Sequence, residues 1–132
     1  MNHSTPTLKS YDSLTELLLD KDLASLGDSY VNFVYSLAIS QKQGHPTGAK
    51  VNNKILADAV ETSGLRELLP HRVDRHARGN AAEALLVFAW LQDMLTMEDC
   101  IKVLREENDP AEAFSILLRK ALRGIGLSHE HK

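Results

Sequence analysis

Cysteine occurs once in the 132-residue chain, at Cys100, so no intramolecular disulfide is available and thiolates supply no zinc-ligand spacing. Its expected place is the core, where a free thiol behaves as a small hydrophobe. Long hydrophobic runs are missing as well. The longest, Ala84 to Leu91, has eight residues, well short of the roughly 20 that span a bilayer. The first residues lack the charged and apolar blocks of a signal peptide, and the chain reads as soluble and cytoplasmic, with no membrane partner. Net charge is only −3, which argues against a general polyanion binder and permits a local basic patch. No alternating, β-branched run bounded by turn residues occurs, and no internal repeat.

What remains is helix after helix. With 43% hydrophobic and 25% charged residues, the composition is that of one compact domain able to bury roughly two-thirds of its surface. Residues 1–10, rich in Ser, Thr and Pro, read as a flexible arm, 11–126 as the helical domain, and 127–132, with its His-Glu-His-Lys end, as a flexible tail. Ser13 with Glu16 forms a capping box ahead of Leu14, Leu17, Leu18 and Leu19. A second helix runs to about Gln41, with Leu26, Tyr30, Phe33, Val34 and Leu37 at the steps of one apolar face. Two glycines and a proline mark 43–48 as a loop. Val51, Ile55, Leu56 and Val60 give a third helix stopped near Gly64, followed by a short turn from Leu65 to Pro70. Residues 80–95 form the most apolar helix, expected at the centre, and Thr96 with Asp99 caps another. Asp109 and Pro110 open the last helix, which ends at Gly124 and Gly126. Tyr30 and Trp90 are core positions in this reading. The fold class is all-α.

Two carboxylates stand where burial makes charge expensive. Asp28 follows Gly27 inside the second helix, and Glu83 opens the run AEALLVFAWL with no cation at helical spacing. Each has an amide on the same helical face: Asn32 four residues after Asp28, and Asn80 three before Glu83. Two readings stay open on the residues alone. Either Asp28 and Asn80 cap helices while Glu83 meets a surface arginine, or the four groups converge as an all-oxygen site suited to a divalent cation such as Mg2+. Gly27 marks either a close approach to the backbone or simple relief of helix crowding.

The stretch LASLGDS, 23–29, resembles the signature of the ribonuclease III endonuclease domain, whose helix carries Leu-Gly-Asp followed by Ala or Ser. GNAAEALLVFAWL, 79–91, is similar to that family's second motif, in which an acidic residue three before a Glu opens a long apolar helix. Their order and their separation of roughly fifty residues also fit. The resemblance covers about residues 11–105 and implies an all-α helical domain that dimerises with itself and hydrolyses double-stranded RNA with Mg2+, or with Mn2+ in its place. Carried over, Asp28 and Glu83 match the metal-binding, catalytic Asp and Glu, and Asn32 and Asn80 would complete or orient the metal's shell. Three positions depart from the family pattern. Ala24 stands where a Glu is usual, as in the mini-ribonuclease III branch that has no double-stranded RNA-binding domain; Ser25 replaces the aromatic residue of the dimer contact; and Asn80 replaces the acidic residue.

Positive charge is local. Arg72, Arg75 and Arg78 recur at three-residue steps just before Asn80 and Glu83, an arrangement suited to phosphates, with Lys50 and Lys54 as further candidates. Arg119, Lys120 and Arg123 read as favouring a helix C-terminus. His71 and His76 could touch phosphate, but five apart they do not make a ligand step within a helix, and they read as surface residues. The expected function is metal-dependent endoribonuclease on double-stranded or structured RNA, as a homodimer without a separate RNA-binding domain. The alternatives are a non-catalytic RNA- or protein-binding member with a depleted acidic site, and an all-α Mg2+-dependent nucleotide pyrophosphohydrolase.

Overall fold

A computed structural model of the chain describes residues 8–125. Expectations for residues 1–7 of the arm, for Gly126 as a helix stop and for the 127–132 tail lie outside the described residues. The described chain is all-helical: α1 (Leu14–Leu18), α2 (Lys21–Gln43), α3 (Asn53–Ser63), a 3-10 turn (Leu65–Leu68), α4 (Arg75–Leu91), α5 (Met97–Glu106) and α6 (Pro110–Gly124). No described helix is long and apolar enough to cross a membrane.

Local chemistry sets the helix ends. Ser13 Oγ accepts from Glu16 N–H to start α1, and Glu16 Oε1 accepts from Asp12 N–H, so the reciprocal half of the box falls one residue early. Asp20 caps α2, and its carboxylate is steadied by the Tyr11 hydroxyl at 2.6 Å and by Lys9 at 3.2 Å. Gly44 and Gly64 end α2 and α3 with φ of +83° and +89°, a left-handed conformation in which a Cβ is unfavourable. Asp74 caps α4, so that helix begins at Arg75, five residues ahead of the expected start at residue 80. Thr96 and Asp109 cap α5 and α6 as their sequence positions imply, with Pro110 at the first helical position.

α4 is the central element. From Gly79 to Val87 every residue except the half-buried Asn80 is buried, and α1, α2, α3 and α6 all pack on it, α2 most extensively. The buried face of α2 is Leu23, Ala24, Gly27, Tyr30, Val31, Val34 and Ala38. This corrects the expected stripe: Tyr30 and Val34 belong to the core, but Leu26 and Phe33 are 42% and 53% exposed. Both stripes obey helical spacing, and the face that meets α4 is the one with the small residues Ala24 and Gly27, which let the backbones approach. Tyr30 stacks on Trp90 with ring centroids 5.3 Å apart, and its hydroxyl contacts the buried Cys100 sulfur at 3.3 Å.

The loop after α2 is fixed by polar residues spaced along that helix. Ser40 Oγ accepts from Thr47 N–H and donates to Thr47 O, and Ser36 Oγ does the same with Ala49. Asn32 Oδ1 accepts from Val51 N–H at 2.8 Å. Asn32, Ser36 and Ser40 lie at four-residue steps, so one polar stripe delivers Lys50 and Val51 beside Asp28.

Candidate active site

A cavity of about 450 Å3 opens where α2, α4 and this loop meet. α2 contributes Lys21, Ala24, Ser25 and Asp28; the loop and the start of α3 contribute Lys50, Val51 and Asn53; α4 contributes His76, Asn80 and Glu83. Neither Asp28 nor Asn80 caps a helix, since both lie inside helices capped by Asp20 and Asp74.

Glu83 is only 7% exposed and forms no ion pair among the described residues. Burial, then the hydrogen bond with Asp28 and the Asp28 charge, push its carboxyl up to about 8, while the Lys50 charge pulls the other way. Glu83 thus keeps its proton near neutral pH, because a buried carboxyl beside a second acid ionises only at a cost. Gly27 makes the approach possible: a Cβ there would overlap the Glu83 backbone carbonyl. The close-approach reading of that glycine therefore holds.

The amides divide. Asn80 lines the cavity with the acids. Asn32 does not: its nitrogen donates to Asp28 Oδ1 at 3.0 Å and to Asp28 O at 2.9 Å, and its oxygen is occupied by Val51 N–H. Ala24 and Ser25, where the resemblance would place a Glu and an aromatic ring, both lie on the cavity wall. No group of three or more His, Cys, Asp or Glu placed to hold a metal occurs among the described residues, so the acidic content is the two carboxyls alone.

The basic residues divide as well. Lys50 reaches the cavity; Arg72 and Arg75 are exposed outside it, with no ion pair among the described residues. Arg78 is half-buried, donating to Val73 O at 3.3 Å and pairing with Glu61 at 3.2 Å. Lys54 pairs with Asp58, and Lys120 with Asp99. Sequence reasoning missed Lys21, Asn53 and His76 as cavity residues. His76 had a signal, lying four before Asn80 and seven before Glu83 on one helical face, and so had Lys21, seven before Asp28 on α2; Asn53 comes from another element and had none.

The ribonuclease III profile matches residues 21–123, the whole span from α2 to the penultimate residue of α6. No curated protein matches the chain. With both acids on one cavity and the match spanning most of the sequence, the chain belongs to the ribonuclease III family.

Proposed function

We propose that the protein is a divalent-metal-dependent endoribonuclease acting on double-stranded or structured RNA, with Asp28 and Glu83 as its metal-holding catalytic acids. Family membership supports a nuclease concerned with RNA. The observation that carries the finer reading is the Asp28–Glu83 pair lining one cavity, with Glu83 held neutral by burial and by the neighbouring Asp28. Such a pair, with the Asn80 carbonyl beside it, is a hard oxygen donor set that fits Mg2+ or Mn2+.

When bound, the cation supplies positive charge to a phosphate's non-bridging oxygens and acidifies water. The chain's own groups do the rest. Asp28 is aimed by the Asn32 amide, so Asn32 is a positioning residue. Asn80 offers a neutral oxygen. Lys50 brings charge to the cavity, and Arg72 and Arg75, exposed outside it, would meet the RNA backbone, leaving Arg78 a structural part. Double-stranded RNA is recognised largely by shape and backbone, so the stacking of Tyr30 on Trp90 removes nothing the substrate needs. The exposed Leu26 and Phe33 on α2 suit a homodimer contact despite Ser25 in the usual aromatic position.

A non-catalytic RNA- or protein-binding role is favoured by one specific observation, the neutral Asn80 in a site with two carboxyls. Incubating the protein with a long RNA duplex and Mg2+ or Mn2+ separates the readings. Cleavage supports the endoribonuclease; binding without cleavage in either metal supports the non-catalytic role. An intact duplex with nucleotide hydrolysis would point to the pyrophosphohydrolase.

A further inference from the structure

His76 is an exposed residue in the first turn of α4, yet its ring is not left to rotate in solvent. Asn53 Nδ2 lies 2.9 Å from His76 Nδ1, and this is the ring's hydrogen bond among the described residues. Room for that amide comes from Gly79, where a Cβ would stand 2.6 Å from Asn53 Oδ1. Paired with the amide nitrogen, which can only donate, Nδ1 would be the acceptor and Nε2 would carry the ring N–H; paired with the amide oxygen, the tautomer would reverse. The first arrangement turns an N–H donor onto the wall that Asn80 and Glu83 share.

We propose that His76 is a substrate-contacting residue that donates Nε2–H to a phosphate oxygen of the RNA strand, with Asn53 fixing the tautomer. This rests on the RNA reading above. A phosphodiester brought to the two acids presents acceptor oxygens in every direction, and once a cation has displaced the Glu83 proton the acids supply none of the donors these require. Lys21 and Lys50 bring charged donors from α2 and the loop; on the α4 side of the cavity His76 is the group that can donate a ring N–H. Its neutrality distinguishes it from the arginines: a neutral donor adds affinity and orientation without displacing counterions from the nucleic acid.

The test compares wild type, His76→Ala and Asn53→Asp. Nitrogen chemical shifts of the wild-type His76 ring should report the Nε2–H tautomer, and Nδ1–H in the wild type overturns the proposal. His76→Ala should bind duplex RNA about tenfold more weakly with the salt slope unchanged, and bind Mn2+ as wild type does. Asn53→Asp, whose carboxylate can only accept, should turn the ring to Nδ1–H and lose RNA affinity similarly with the imidazole still present; thermal melting shows that both variants fold. Unaltered RNA binding by His76→Ala overturns the inference alone, as does a slope reduced by about one, which would mark the ring as a cation. A wild-type protein that binds no duplex overturns the RNA reading, and this inference with it.

Discussion

Gly27 of α2 lies against the Glu83 backbone of α4 so closely that a Cβ would overlap the Glu83 carbonyl carbon and oxygen. This contact puts the next residue, Asp28, beside the Glu83 carboxyl. One missing methyl group therefore links helix packing to the chemistry of the site.

Gly27→Ala sets two effects against each other. Helix propensity alone would stabilise the variant by about 1 kcal/mol. Overlap with a backbone group that cannot rotate away should outweigh it, leaving the variant less stable by about 2 kcal/mol. Chemical denaturation checks the sign. A variant as stable as wild type would mean that α2 and α4 are not in this contact.

The raised Glu83 carboxyl makes stability depend on pH in a defined direction. Between the ordinary carboxylate range and about 8 the folded protein holds a proton that the unfolded chain has released, so without metal the fold loses stability as pH rises through that window and levels off above it. The loss should total roughly a few kcal/mol. Glu83→Gln removes the titration and should flatten the curve, being at least as stable as wild type at pH 8. Urea melts at several pH values in a chelating buffer measure this, and parallel curves for the two proteins would contradict it.

Much of the fold was legible because its signals are local. Thr96, Asp109 with Pro110, and Gly64 each act within a few residues, and each ends or starts a helix where its type requires. The acids were legible as an anomaly, charge set among apolar residues. The rotation of α2 was not. Leu26 and Phe33 satisfy the same periodicity as Val31 and Val34, and only the partner helix decides which stripe is covered. Asn32 was placed on the correct face, but that its oxygen is taken by the Val51 amide was not legible, because that amide comes from a loop nineteen positions away. Arg72, Arg75 and Arg78 looked equivalent in sequence and are not, since Glu61 comes from α3.

That difference is measurable. Arg75→Ala should weaken duplex binding and reduce its salt slope by about one, with little change in stability. Arg78→Ala should instead lose stability by about 1 kcal/mol, through the Val73 carbonyl and Glu61 contacts. Reversed outcomes in binding titrations and melts would exchange their roles.

Asn80→Asp adds a third carboxylate to the cavity. Without metal it should lower stability at pH 8 through repulsion, and with Mn2+ it should bind the ion more tightly and speed any duplex cleavage at limiting metal. Isothermal titration and a cleavage time course read the two effects, and unchanged metal affinity would remove Asn80 from the site.

The most direct measurement is calorimetric titration of the protein with Mn2+ at pH 7 in buffers of different ionisation enthalpy. If Asp28 and Glu83 hold one cation between them, binding expels the Glu83 proton, so about one proton per ion should reach the buffer. Glu83→Gln and Asp28→Asn should each lose most of the affinity. Tight binding that survives both substitutions, or that releases no proton, would contradict the account.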